Sequence, residues 1–208
     1  ADRFHLGIIP AYNEERTVGS IVRAALAARP LVRQVIVVDD GSGDGTGAEA
    51  RRAGAEVLAC AHNRGKAEAL LRGAENASQD TLMFLDADLL GLKPEHVRAL
   101  ALPVVEGRAH MTIGVFRNGR PATDLAQRLA PQLSGQRCLT KAMFADTRPL
   151  LGPGYGVEKA LNLYARRHGL TVTHVPLVGV SHVMKEEKRG LWRGIEARVR
   201  MYLDLWRA

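Results

Sequence analysis

The sequence predicts an α/β protein with a doubly wound, mostly parallel central sheet flanked by helices. Three observations predict it. Two apolar runs, Val37-Val38-Asp39-Asp40-Gly41-Ser42 and Phe84-Leu85-Asp86-Ala87-Asp88, end abruptly in carboxylates. Buried parallel strands do this where they emerge at the carboxyl edge of a sheet. Short β-branched runs alternate with Ala-, Leu- and Glu-rich segments long enough to be crossover helices. Glycine or proline punctuates most of the junctions.

Taken in order, residues 4–9 form a strand that Pro10 ends, and residues 14–28 form a helix followed by Pro30. Residues 34–38 are a second strand, and residues 46–52 a helix closed by Gly54. Residues 56–58 form a short third strand, 65–76 a helix of strong helix formers, and 81–85 the fourth strand. The second half is less regular. Residues 94–102 read as a helix and 111–116 as a strand, whereas 117–131 is basic and holds two prolines and a glycine. Gly152-Pro153-Gly154-Tyr155-Gly156 is a turn before a helix at 157–168. A strand at 170–175 follows, with 177–182 extending or succeeding it, then a last helix at 191–206. With no internal repeat or linker, residues 1–208 read as a single domain. Residues 1–90 form its regular half, and 91–208 a less regular half that ends in the C-terminal helix.

The 208 residues suffice to bury a real core, and 46% hydrophobic with 25% charged residues is ordinary for a globular protein. A net charge of +7 fits solubility or attraction to phosphate, nucleic acid or anionic lipid. An aromatic content of 5% argues against nucleic acid, since stacking platforms need rings, and no nucleic-acid motif is visible. Cys60 and Cys138 lack CxxC spacing and are expected as reduced thiols. No apolar run reaches the length of about 18 residues that spans a bilayer, and no leader is visible. The expectation is a cytoplasmic protein, with peripheral contact at the inner face of the membrane left open.

Asp86 and Asp88 are two residues apart, so on an extended chain they point the same way. Two carboxylates at a strand end suit a hard divalent cation that also holds phosphates, and in open α/β sheets ligands bind at that edge. The glycine-rich run 41–47 lies between a strand and a helix, where backbone amides approach phosphate. It matches neither the dinucleotide fingerprint nor a Walker A loop, so a βα turn capped by Asp44 or Thr46 explains it equally. Lys66 opens a helix, where a cation opposes the dipole. An anionic partner such as a phosphate would explain it, and an exposed lysine stem would serve as well. His182 stands before the basic stretch 183–190 and could join carboxylates around a transition metal such as Mn²⁺. That stretch is either a closing loop or a solvated charge run. Arg117, Arg120, Arg128 and Arg137 are candidate phosphate contacts, since a guanidinium fork matches phosphate geometry. Glu158 either orients an acceptor or caps its helix, and the residues leave both open.

Four segments occur together in a recognisable order: Pro10-Ala11-Tyr12-Asn13-Glu14-Glu15, Val38 to Thr46, Asn63-Arg64-Gly65-Lys66-Ala67-Glu68-Ala69-Leu70, and Leu85-Asp86-Ala87-Asp88. Their order and spacing resemble family-2 glycosyltransferases with the GT-A fold, a Rossmann-like nucleotide-diphosphosugar transferase fold. Ser134-Gly135-Gln136-Arg137 is similar to the Ser-Gly-x-Arg segment of polyprenyl-phosphate sugar transferases, which singles out Arg137. Tyr155-Gly156-Val157-Glu158 with His182 is similar to glucosyl-3-phosphoglycerate synthases. The resemblance implies a metal-dependent hexosyltransferase with Mg²⁺ or Mn²⁺ as cofactor. Its donor would be a nucleotide-diphosphosugar and its acceptor a phosphorylated small molecule or polyprenyl phosphate. It implies that Asp88 holds the metal with His182 and assistance from Asp86. Tyr12 would stack on the base, with Asp40 and Glu14 bonding base or ribose. Pro10, Ala11, Ser42, Lys66, Asp86 and Ala87 would complete the nucleotide-sugar site. Asp88, Lys66, Arg137 and Glu158 are the expected catalytic residues.

Two other readings remain in view. A nucleotidyltransferase would carry a glycine-rich loop directly after the first strand, where this chain has Pro10-Ala11-Tyr12-Asn13. A non-catalytic sugar-nucleotide-binding protein would differ only in turnover. Leu191, Ile195, Val199, Tyr202 and Trp206 recur at helical spacing, which fits a core-facing or homodimer-facing helix, or one lying in a membrane interface.

Overall fold

The computed structural model describes residues 5–117, 133–151 and 156–183. The expected features at Arg120, Arg128, Tyr155, most of the 183–190 stretch and the 191–206 helix lie outside those residues. The chain order is β1 (His5–Ala11), α1 (Val18–Leu26), β2 (Val32–Asp39), α2 (Thr46–Arg52), β3 (Glu56–Ala59), α3 (Lys66–Glu75), β4 (Thr81–Phe84) and β5 (Leu89–Leu90). Then come α4 (Pro94–Val105), β6 (Met111–Arg117), β7 (Arg137–Thr140), α5 (Lys141–Thr147), a 3₁₀ turn (Arg148–Leu150), α6 (Val157–Arg167), β8 (Val172–Val178) and β9 (Ser181–His182). Seven strands form one sheet in the order β3-β2-β1-β4-β7-β6-β8. Among the described strands of this sheet, β7 alone runs against the others, pairing antiparallel with both β4 and β6. The sheet therefore takes strands from both expected halves.

Alternation along the buried strands explains the two layers. Val35 and Val37 face a core shared with α1 and α4, whereas Ile36 and Val38 face one shared with α3, α5 and α6. Gly73 lets α3 approach the sheet closely, since a Cβ there would lie 2.5 Å from Ile8 Cγ2. Among the described residues, no helix is long and apolar enough to cross a membrane. Cys60 and Cys138 form no disulfide with each other.

Several boundaries differ from expectation for physical reasons. Pro10 does not end β1. The Leu85 N–H bonds to the Ile8 carbonyl and the Asp40 N–H to the Ala11 carbonyl, so Pro10 faces the side where β4 has already ended. Its missing N–H costs no ladder bond there. Helix α1 starts at Val18 rather than at residue 14, because the preceding amides are used elsewhere. Asn13, Glu14 and Glu15 donate N–H groups to Ser42 Oγ, Thr46 Oγ1 and Asp44 Oδ2. Helix α4 continues to Val105 through Pro103, whose carbonyl accepts from both Arg108 and Ala109. β7 and α5 were not anticipated.

Candidate active site

The site lies at the carboxyl ends of β1, β2 and β4, together with the residues entering β7. Because β7 is reversed, its first residues meet the last residues of β4: Phe84 pairs with Arg137. This brings Gly135 and Gln136 against Asp86. β5 and β9 form a two-residue antiparallel ribbon in which Leu89 pairs with His182, and Val183 N–H donates to the Asp88 carbonyl at 2.9 Å. Gly91 and Gly179 allow the ribbon to close, since a Cβ at Gly91 would lie 2.5 Å from the Gly179 carbonyl. The ribbon brings the imidazole to the carboxylates.

Asp86, Asp88 and His182 each offer a ligand atom, and those atoms lie within 4.8 Å of one another. His182 Nε2 is 3.4 Å from Asp86 Oδ2 and 3.9 Å from Asp88 Oδ1. The ring also packs edge-on against Phe116, with centroids 4.9 Å apart. Two carboxylates and an imidazole fit Mn²⁺ or Mg²⁺, with oxygen donors suiting either and the nitrogen favouring the softer ion.

Lys66 Nζ is 2.7 Å from Asp86 Oδ1 and 2.7 Å from Glu158 Oε1. The anion that offsets its awkward place on α3 is thus this carboxylate pair. Glu158, in the first turn of α6, reaches across to Lys66 through Oε1. Its Oε2 lies 3.2 Å from where a Gly156 Cβ would sit, so the carboxylate stands over the start of its helix as well as against Lys66. Gly135 makes room for the pair. A Cβ there would lie 2.6 Å from Lys66 Nζ and 2.6 Å from Asp86 Oδ2.

The electrostatics follow. Burial pushes the Asp86 carboxyl up, but the Lys66 charge and the His182 hydrogen bond override it and hold it well below the usual range. Burial opposes the Lys66 charge, yet Asp86 and Glu158 together raise its pKa. Burial also works against the His182 proton, and Asp86 and Asp88 outweigh it, so the imidazole is raised above 6.5. A raised pKa means that the His182–Asp86 pair stabilises the metal-free fold fully below pH 6.5 and loses that contribution as pH rises through the folded value. An entering metal must displace this proton. Apparent Mn²⁺ affinity is therefore expected to fall as pH drops from about 8 to about 6, with protons released on binding. Calorimetry in buffers of different ionisation heat checks this, and a pH-independent affinity would contradict it.

Other expected site residues fall nearby in different roles. Tyr12 is 48% exposed just after β1, with its ring available at the sheet edge. Ser42 accepts from Asn13 N–H and donates its own N–H to Asp39 Oδ1 at 3.0 Å. The buried Ala87 carbonyl accepts from Thr17 Oγ1 at 2.7 Å, tying α1 to the exit of β4. Ala11 is buried and Pro10 half-buried in the strand end beneath them. The Glu14 main chain binds Thr46, and its carboxylate lies beside Thr17.

Two expectations are revised. Asp40, expected to meet base or ribose, is 4% exposed. Its two oxygens accept from Arg64 N–H at 2.9 Å and Gly65 N–H at 2.8 Å, so it shapes the loop that delivers Lys66. Arg137, expected on an acceptor phosphate, is 1% exposed on β7. Its guanidinium donates to the Ser134 carbonyl at 2.9 Å and to Asn162 Oδ1 at 2.8 Å. Burial pushes its pKa down to about 10, with Glu158 and Asp86 opposing, so it stays charged at neutral pH. It is an internal strut.

Sequence reasoning passed over Gln136, which is fully buried at the centre of the cluster. Its side chain accepts from Asp86 N–H at 3.1 Å and donates to Asp86 Oδ2 at 3.0 Å. The one available signal was its place as the variable residue between Gly135 and Arg137.

Comparison with known proteins agrees with this geometry. The sequence profile of glycosyl transferase family 2 matches residues 8–152. Glucosyl-3-phosphoglycerate synthase of Mycolicibacterium smegmatis is 32% identical over 191 residues, covering 74% of this chain and 61% of the relative. Undecaprenyl-phosphate 4-deoxy-4-formamido-L-arabinose transferase of Pseudomonas paraeruginosa is 36% identical over 122 residues, covering 54% of this chain and 35% of the relative. The chain thus spans 61% of the length of the first of these curated relatives. The crystal structure of glucosyl-3-phosphoglycerate synthase from Mycobacterium tuberculosis with Mn²⁺, UDP and glucosyl-3-phosphoglycerate superposes with a TM-score of 0.73 at 30% identity. That match covers 88% of this chain and 72% of the other. The same enzyme has been crystallised with Mg²⁺ and UDP.

Proposed function

The chain belongs to glycosyl transferase family 2, and we propose that it moves a hexose from a UDP-sugar to a phosphorylated small acid, using Mn²⁺ or Mg²⁺ held by Asp88, His182 and Asp86. Family membership separates it from the nucleotidyltransferase alternative. The observation that carries the reading is the cluster of Asp86, Asp88 and His182 within 4.8 Å at the ligand edge of the sheet. Similarity to the mycobacterial synthases, whose structures hold UDP with Mn²⁺ or Mg²⁺, supports the donor and the ion. The polyprenyl-phosphate relative supports a lipid phosphate as second acceptor class.

Each residue's part follows from its place. A bound divalent cation supplies charge that neutralises the departing diphosphate. Lys66, at the N-terminus of α3 and held by Asp86 and Glu158, adds a fixed positive charge where the phosphates arrive. The exposed ring of Tyr12 offers a face for the base. Glu158 sits at the mouth of the second half and orients the acceptor through Lys66 rather than by direct chemistry. Residues 1–90 then serve chiefly the donor, joined at the metal by His182, and the rest of 91–208 serves the acceptor within one domain. A small acid would be met in the cytoplasm, and a polyprenyl phosphate at the inner membrane face.

The test is UDP release from UDP-glucose with Mn²⁺ and 3-phosphoglycerate, with undecaprenyl phosphate in a parallel arm. Saturating UDP-glucose with Mn²⁺ is expected to raise the melting temperature by about 5–10 °C, reversed by EDTA. Binding without UDP release would leave a non-catalytic sugar-nucleotide protein, and no shift with any UDP-, GDP- or dTDP-sugar would overturn the reading.

A further inference from the structure

We infer that Gln136 is the positioning residue of the metal site: it never touches the ion, yet it holds Asp86 and His182 at ligand spacing and so sets metal affinity. The inference rests on the metal site proposed above.

The orientation of the Gln136 amide is decided by its surroundings. Asp86 N–H can only donate, so the amide atom facing it at 3.1 Å is the oxygen. The NH₂ end must then face Asp86 Oδ2 at 3.0 Å and His182 Nε2 at 3.3 Å. One buried amide therefore binds the backbone N–H of Asp86 and its carboxylate, and abuts the imidazole whose Nε2 lies 3.4 Å from the same Oδ2 oxygen. Asp86 Oδ1 is meanwhile held by Lys66 at 2.7 Å. With both oxygens engaged, the carboxylate plane has no freedom to rotate away from Asp88.

The glutamine is itself fixed. Its carbonyl accepts from Gly114 N–H at 2.8 Å on β6, and its N–H donates to Ser134 Oγ at 3.3 Å. Gly114 leaves room for the stem, since a Cβ there would lie 3.0 Å from Gln136 Cβ and 2.6 Å from Leu177 Cδ1. A fully buried primary amide that spends both ends on one candidate ligand while packing against a second is poorly explained by packing alone, for which an apolar residue would serve. Groups that orient metal ligands from behind typically contribute about 10–100-fold in affinity.

The experiment measures Mn²⁺ binding directly, by calorimetry or by loss of the free-ion electron paramagnetic resonance signal, with no donor or acceptor present. Gln136→Met keeps length and volume but removes both polar atoms. It is expected to weaken Mn²⁺ binding at least about tenfold, while the orphaned Asp86 N–H lowers the melting temperature in EDTA by only a few degrees. Gln136→Glu places an acceptor against Asp86 Oδ2 and is expected to weaken binding further. Gln136→Asn, one methylene short, is expected to fall between Gln136→Met and the parent, and it serves if Gln136→Met does not fold. Folded Gln136→Met or Gln136→Asn protein with the parent's Mn²⁺ affinity would overturn the inference while leaving the glycosyltransferase reading intact. Parent protein that binds Mn²⁺ but releases no UDP would sink that reading and leave the inference standing. Parent protein that binds no Mn²⁺ overturns both.

Discussion

Asp88→Ala is expected to lower metal-dependent turnover by about three orders of magnitude and to weaken Mn²⁺ binding by a comparable factor. The two carboxylates of the cluster are not equivalent. Asp86 is clamped by Lys66, Gln136 and His182, with a side chain 19% exposed. The Asp88 side chain is 27% exposed and farther from the imidazole, so it is the carboxylate better placed to meet an ion directly. The main chain at Asp88 is held independently of that side chain, because its carbonyl accepts from Val183 N–H. Truncation therefore removes a ligand without loosening the ribbon. It removes a negative charge facing Asp86 and with it the attraction between Asp88 and the His182 imidazolium, so stability without metal should fall by no more than about 1 kcal/mol. Calorimetry with Mn²⁺, turnover and melting in EDTA separate these effects. Unchanged metal-dependent turnover would remove Asp88 from the site.

Gly135→Ala is the second large effect, and it acts through volume alone. The new methyl carbon would sit 2.6 Å from both Lys66 Nζ and Asp86 Oδ2. Lys66 could swing aside, since it is the end of a flexible chain. Asp86 could not, because Gln136 and His182 already hold Oδ2, the oxygen the methyl would meet. The expected cost is about 1–3 kcal/mol, read as a melting temperature lower by roughly 3–10 °C. Loss of Mn²⁺ affinity should accompany it. A variant that melts and binds Mn²⁺ like the parent would show that the Lys66–Asp86 contact is dispensable. The reverse order, lost affinity with unchanged melting, would show that the contact serves the ion alone.

The sequence displayed the first half of the fold well because its signals are local. Val35 to Val38 make an unbroken β-branched run, α2 is bounded by turn residues, and α3 is composed of strong helix formers. The pair Asp86 and Asp88 was legible for the same reason: two residues on one extended segment. β7 was not. It is four residues long, opens with a charged Arg137, and owes its place to partners at 81–84 and 111–113. Its reversal is invisible to any window that sees only the segment itself. Asp40 and Arg137 were misplaced by a related blindness. A polar side chain in a motif reads as ligand-facing, and only the tertiary structure shows that these two are turned inward onto amides and carbonyls. Gln136 carried no pattern of its own.

The sequence distances within the site also imply an order in time. Asp40 reaches its partners Arg64 and Gly65 across only 24 and 25 residues, whereas Lys66 is 92 residues from Glu158. At a synthesis rate of about 5–20 residues per second, Lys66 leaves the ribosome roughly 5–20 s before Glu158 exists to meet it. Gln136 follows Asp86 by 50 residues, and His182 follows Gln136 by a further 46. The nascent chain can therefore seat the Lys66 loop on Asp40 early, from contacts within its first strands, and close the cluster only when the ribbon arrives. Asp40 is the part of the site that is ready first.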